Sequence, residues 1–153
     1  MNYYKIVSFC LILLLFGCGT NSTLESSDEE NRDIELTKIS ASNPTAQHPS
    51  NQAKEELKKY DEITTIKAVN TDKDLLIAVE VHHHDRFKLA NIRKELTKEL
   101  EKMFPEMKVE LTTDKKIILE LDQLENKIQA ESFTKKKLEK EIKKLIKLSK
   151  EQT

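Results

Sequence analysis

The prediction of the fold rests on two short apolar stretches, residues 63–69 (ITTIKAV) and 75–82 (LLIAVEVH). The first stretch is rich in β-branched side chains, which favour extended structure. In the second stretch alternate residues are apolar and fall on one face of a strand: Leu75, Ile77, Val79 and Val81. The segment between them, residues 71–74 (TDKD), is typical of a turn. The two stretches therefore predict a β-hairpin.

Helical spacing of apolar residues surrounds this hairpin. Before it, Ser50 is a suitable N-cap for a first helix, with Ala53, Leu57 and Tyr60 on one face. After it, Asp85 is positioned to cap a second helix, which Pro105 would end. The apolar face of that second helix consists of Leu89, Ile92, Leu96, Leu100 and Met103.

The C-terminal third adds a strand and one or two helices. Alternating Met107, Val109 and Leu111 predict the third strand. Residues 114–128 fit either a helix or the returning arm of a hairpin, and we favour the helix because the pattern exceeds strand length. A last helix begins near Thr134. The predicted class is α+β, with a small three-stranded sheet, helices packed on one of its faces, and the order α-β-β-α-β-α-α.

Composition excludes several kinds of chemistry in the folded part. Both cysteines, Cys10 and Cys18, and both glycines, Gly17 and Gly19, lie near the N-terminus of the 153-residue chain. No thiol remains for a disulfide, a zinc site or a nucleophile, and no glycine for a phosphate loop or a nucleophile elbow. The net charge of −1 and the aromatic content of 5%, without tryptophan, disfavour nucleic acid as a partner.

The N-terminal sequence is typical of an export signal. Residues 1–17 combine Lys5 with an apolar run at 6–16, which is shorter than the ~20 residues of a spanning helix. The run ends in LFGC at 15–18, which resembles the lipobox of bacterial lipoproteins and implies a diacylglyceryl anchor on Cys18 after cleavage before it. The alternative is a plain signal peptide with an incidental cysteine. Residues 18–49, polar and acidic, predict a disordered tether, and residues 50–153 the folded module.

The string His82-His83-His84-Asp85 is the most obvious candidate for a site. On an extended backbone His82 and His84 share a face, and a third metal ligand could come from Asp85 or His48. Two ligands do not make a structural site, so a solvated strand end is the preferred interpretation. We assign no metal site, no catalytic residues, no cofactor and no small-molecule substrate.

The last predicted helix carries a basic face opposite the apolar residues Leu138, Ile142 and Leu145. The residues of this face are Lys136, Lys137, Lys140, Lys143, Lys144 and Lys147. Such a helix can lie on an anionic membrane or dock on the domain with its lysines in water. We prefer the docked arrangement.

A family resemblance rests on the spaced apolar pattern. Ala53, Leu57, Ile63, residues 68–69 and 76–79, the long second helix and residues 109–114 resemble the YhcN/YlaJ-type sporulation lipoproteins of spore-forming Gram-positive bacteria. The similarity covers residues 51–146 and the lipobox. It implies synthesis during sporulation, residence on the forespore or spore inner membrane, and a role in spore assembly or germination. The family supplies no catalytic residues to carry over.

These observations together predict a lipid-anchored, non-catalytic structural or interaction module on the outer face of the cell membrane, with a protein partner at the membrane surface. Two alternatives from other classes stay open at this point. One is an exported cell-wall-modifying enzyme, which would have a deep polar cleft. The other is a metal- or solute-binding lipoprotein centred on His82 and His84.

Overall fold

The computed structural model describes residues 34, 36–39, 46–130 and 133–151. The predicted signal peptide, Cys18 and most of the predicted tether lie outside these residues. Four α-helices, a 3-10 helix and three strands make up the described part. In chain order they are α1 (His48–Leu57), β1 (Ile63–Asn70), β2 (Asp74–Val81), the 3-10 helix (His83–Lys88), α2 (Leu89–Met103), β3 (Lys108–Thr112), α3 (Lys115–Ala130) and α4 (Lys135–Glu151).

The sheet is mixed, with strand order β1-β2-β3. β1 and β2 form the predicted antiparallel hairpin, with Ala68 opposite Ile77 and Val69 opposite Leu76. The Thr71 hydroxyl accepts the Asp74 amide at 2.9 Å, which stabilises the tight turn without a glycine. β3 runs parallel to β2, with Leu111 level with Ile77. The α+β class and the order α-β-β-α-β-α-α are confirmed.

Helices cover both faces of the sheet, so the prediction that they pack on one face is wrong. Residues of β2 alternate between two apolar clusters. On one face Leu75, Ile77 and Val79 pack with Ala53 and Leu57 of α1 and with Leu96 and Leu100 of α2. On the other face Leu76 and Ala78 pack with α3 and α4. A central strand buried on both faces must be apolar at every position, and residues 75–79 are.

The helix starts differ from the sequence prediction in two places. α1 begins at His48, and Ser50 is a buried residue of its first turn that bonds to the Gln47 carbonyl rather than an N-cap. Asp85 does not cap α2 but lies, buried, in the intervening 3-10 helix. The ambiguous stretch 114–128 is helical, as favoured, and the Asp114 carboxylate accepts the Lys116 and Ile117 amides at 2.7 and 3.2 Å.

Part of the segment predicted to be a tether contacts the domain. Ile39 is buried in the apolar cluster of α3 and α4, and its backbone N–H and C=O bond to the Asn51 side chain at 3.2 and 2.9 Å. The Lys38 carbonyl accepts the Gln129 side chain at 2.8 Å. Residues 36–39 therefore belong with the folded part, and its boundary lies before residue 50. Among the described helices, none has the length and apolar character needed to cross a membrane.

Candidate functional site

Side chains from outside the sheet occupy the outer edge of β1. The Thr71 amide bonds to the Asp74 carbonyl within the hairpin, so the amides of Ala68 and Asn70, at odd offsets from Thr71, point away from β2. Glu125 Oε1 accepts the Ala68 amide at 2.8 Å. The Gln47 side chain accepts the Asn70 amide at 3.0 Å and donates to the Asn70 carbonyl at 2.8 Å. These contacts occupy the Ala68 amide and both backbone groups of Asn70, so they close the part of this edge next to the hairpin turn to an additional strand.

A buried ion pair lies beside that edge. Lys54 Nζ of α1 is 2.6 Å from Glu125 Oε1 of α3, and both side chains are 1% exposed. Lys54 also donates to the Thr37 carbonyl at 2.6 Å, and Lys67 Nζ lies 3.8 Å from Glu125 Oε2. The Oε2 atom has no hydrogen-bond partner among the described residues. The pair thus joins α1, β1, α3 and the segment 36–39.

Burial dominates the protonation of this pair. Loss of water raises the pKa of Glu125 above its usual range, and the charge of Lys54, the Ala68 amide and Lys67 oppose that rise. Burial also lowers the pKa of Lys54, against the attraction of Glu125. Since desolvation is the largest effect on both groups, the pair positions elements rather than adding much net stability.

The outer edge of β3 borders a groove instead. Lys108 donates its amide to the Lys73 carbonyl on the β2 side at 2.7 Å, so the backbone groups of Val109 and Leu111 point away from β2. A solvent-open groove of about 330 Å³ runs along this edge between α2 and α4. It is lined by Arg93, Thr97, Val109, Glu110, Leu111, Ser149 and Lys150.

The charges in this groove are unevenly paired. Lys150 Nζ lies 3.3 Å from Glu110 Oε2, so these two side chains largely neutralise each other. Arg93 is half-buried, and no ion pair among the described residues includes it. A guanidinium offers five donors in a planar fork suited to a carboxylate. The groove can therefore hold an extended chain beside β3 and a carboxylate beside Arg93.

The histidine string lies elsewhere, at the start of the 3-10 helix. His82, His83 and His84 are exposed, and the rings of His82 and His84 stack with centroids 5.3 Å apart. His84 Nε2 is 3.1 Å from Asp85 Oδ2. Within the described part of the chain, no group of three or more His, Cys, Asp and Glu side chains is arranged to hold a metal ion. The loop also presents Phe87, which is 81% exposed.

The basic C-terminal helix is docked. Leu138, Ile142, Leu145 and Ile146 of α4 are buried against α3 and the sheet. All six lysines of the predicted basic face are exposed. The docked interpretation agrees with this placement.

Sequence reasoning missed the residues of both edges. Gln47 falls within the segment 18–49 that is predicted to be a tether, and the sequence analysis assigns no role to Arg93. Glu125 offered one signal, because it lies one position after Leu124 and three before Ile128 on the apolar side of α3. A carboxylate at such a position requires a buried partner.

The structure defines a small α+β module with one closed and one open sheet edge. The family described as sporulation lipoprotein YhcN/YlaJ matches residues 20–147, and the chain belongs to that family. Membership of a lipoprotein family indicates a membrane-anchored, surface-exposed protein. Neither the curated proteins nor the solved structures contain a match to the chain.

Proposed function

We propose that this protein is a non-catalytic interaction module, anchored on the outer face of the membrane through lipid on Cys18, that supports spore formation or germination by binding a protein partner. The forespore or spore inner membrane is the membrane concerned. The observation that carries the proposal is the groove along β3, where a strand edge, a half-buried Arg93 and two helices form a concave surface.

The family and the N-terminal sequence support the anchoring part of this proposal. The chain belongs to a sporulation lipoprotein family, and LFGC at 15–18 supplies a cysteine in a lipobox-like context. Two acyl chains satisfy the requirement for stable anchoring at ~0.8 kcal/mol per buried methylene. A partner bound by the module would thus be concentrated at the membrane surface.

The anchor is tested by Cys18→Ala, with Cys10→Ala as the matched control. We expect Cys18→Ala to move the protein from membrane to soluble fractions and to abolish incorporation of labelled fatty acid. Cys10→Ala should leave both unchanged, because Cys10 lies within the apolar run of the signal. Complete membrane retention of the Cys18→Ala protein would contradict the anchor.

The biological role is tested in sporulating strains that carry each change at a matched protein level. We expect Cys18→Ala to lower spore yield or germination, and His82→Ala and His84→Ala to leave both normal. A normal phenotype for Cys18→Ala beside a null phenotype for a histidine change would overturn the proposal, since local chemistry would then be essential and placement dispensable.

A further inference from the structure

We propose that the groove along β3 binds an extended segment of a partner protein by strand addition, and that Arg93 selects an acidic side chain in that segment. The inference deepens the proposed function and rests on it for the existence of a partner. Three features of the same surface support it: the free edge of β3, the flanking helices and the charge of Arg93.

The edge of β3 supplies the backbone contacts. Val109 and Leu111 each present an N–H and a C=O away from β2, because Lys108 uses its amide to bond towards β2. A strand edge of this kind pairs with an extended peptide through main-chain hydrogen bonds. On β1 the Ala68 amide and both backbone groups of Asn70 are already bonded to Glu125 and Gln47. A strand added there would have to displace these side chains, whereas no side chain among the described residues bonds to the outward-facing groups of Val109 and Leu111.

The flanking helices restrict what can enter. Arg93 and Thr97 of α2 form one wall, and Ser149 and Lys150 of α4 form the other. A groove of about 330 Å³ between these walls has room for a short extended segment beside β3.

Charge identifies the preferred side chain of the partner. Lys150 is paired with Glu110, whereas Arg93 has no carboxylate within ion-pair distance among the residues that the structure describes. A partly desolvated guanidinium gains from a carboxylate and repels a cation. An aspartate or glutamate in the added strand completes the pairing.

The probe is a fluorescent octapeptide of alternating threonine and valine with one central aspartate, acetylated and amidated at its ends. It is titrated against the full chain in detergent by anisotropy. Two matched probes carry asparagine in place of aspartate or N-methyl groups on alternate backbone nitrogens. We expect the asparagine probe to bind about tenfold more weakly and the N-methylated probe not to bind.

Variants of the protein test the charge of Arg93 and the backbone edge of β3 one at a time. Arg93→Glu should weaken the binding of the aspartate probe at least tenfold. Lys94→Glu, a change at an exposed neighbouring residue, should have little effect on that binding. Val109→Pro should abolish binding because it removes an edge N–H, and Val109→Thr should retain it. If Val109→Pro fails to fold by circular dichroism, Arg93→Glu and the N-methylated probe still decide the result.

Hydrogen exchange supplies the direct readout. On binding, the Val109 and Leu111 amides should become protected. Binding without that protection, equal affinity for the asparagine probe, or no binding of any probe would overturn the inference. So would a dimer of the full chain that Val109→Pro dissolves, because a second copy would then occupy the edge. Each of these results is independent of the Cys18→Ala phenotype, which tests the proposed function separately.

Discussion

The two outer strands of the sheet present their edges in opposite ways. At β1, Glu125 and Gln47 accept the Ala68 and Asn70 amides, and α1 and α3 meet through the Lys54–Glu125 pair. At β3, α2 and α4 stand apart and leave a groove along the strand. The buried charge pair lies at the β1 edge, where it joins α1 to α3.

The difference shows that closing a sheet edge with side chains carries an energetic cost. Both partners of the Lys54–Glu125 pair lose water, and burial is the largest influence on the pKa of each. A module with side chains bonded along β1 and a groove along β3 is asymmetric, and the proposed pairing with another chain uses the β3 edge. Four experiments test this comparison.

The largest effect is expected for Lys54→Met. It leaves the Glu125 carboxylate buried without its 2.6 Å partner, and we expect a loss of about 3–5 kcal/mol in the free energy of unfolding. Adding Glu125→Gln should recover most of that loss, since the amide oxygen can still accept the Ala68 amide. Urea denaturation measures both, with the exposed Lys58→Met as control. A loss below about 1 kcal/mol would show that water or Lys67 already satisfies Glu125.

Proline substitutions at outward-facing amides allow a direct comparison of the β1 and β3 edges by their effect on stability. Ala68→Pro removes the donor to Glu125 and places a ring against its carboxylate, at a cost of about 3 kcal/mol. Val109→Pro removes no bond within the sheet and should cost about 1 kcal/mol or less. Thermal and urea unfolding of the two variants are compared side by side. Equal costs would mean that the β3 edge is occupied in the folded protein.

A smaller loss is expected for Gln47→Ala. The change leaves the Asn70 N–H and C=O, which Gln47 now satisfies, without that partner in a buried position. We expect the free energy of unfolding to fall by about 1–3 kcal/mol. The exposed Gln52→Ala, in the helix that Gln47 precedes, should change it by less than about 0.5 kcal/mol. If the two variants had the same free energy of unfolding, Gln47 would not contribute to closing the β1 edge.

The smallest effect is expected for the pH dependence of the free energy of unfolding of the Lys54→Met variant. Burial raises the pKa of Glu125 above its usual range, and removing Lys54 takes away the main opposing charge. A carboxyl whose pKa is raised in the folded state stabilises that state below its unfolded pKa, and the contribution is lost as pH rises through the folded pKa. The deficit of Lys54→Met relative to wild type should therefore be smaller at pH 4 than at pH 7. A deficit that grows on acidification would contradict the direction of the shift.

Much of the local structure follows from sequence periodicity. The hairpin, the long second helix and the helical assignment of residues 114–128 were predicted, because period-2 and period-3.6 patterns are written in neighbouring residues. The helix starts were less accurate, since Ser50 and Asp85 are common capping residues but pack inward here. The one-face arrangement failed because residues 75–79 were read as alternating, although all five are apolar.

The candidate sites show the same contrast between what the local sequence indicates and what the tertiary structure shows. The histidine string is conspicuous in the sequence, yet its side chains are exposed and two of the rings stack on each other. Arg93, Val109 and Lys150 are ordinary residues of a helix, a strand and another helix, and nothing in their order along the chain marks them as neighbours. The segment 36–39 likewise lies in a stretch that is polar as a whole, and the burial of Ile39 and the contacts with Asn51 and Gln129 place it on the domain.

By itself the sequence determined the order and type of the main helices and strands, the α+β class, the absence of thiols and glycines from the folded part, and the resemblance to a family that the comparison confirmed. The tertiary structure alone decided which sheet edge is closed. The closed part of β1 involves Lys54 and Glu125, which are separated along the chain by the hairpin, the 3-10 helix, α2 and β3 yet have Nζ and Oε1 atoms 2.6 Å apart. Local patterns report which side of an element is apolar, whereas the pairing of charges across elements is fixed only when the elements pack.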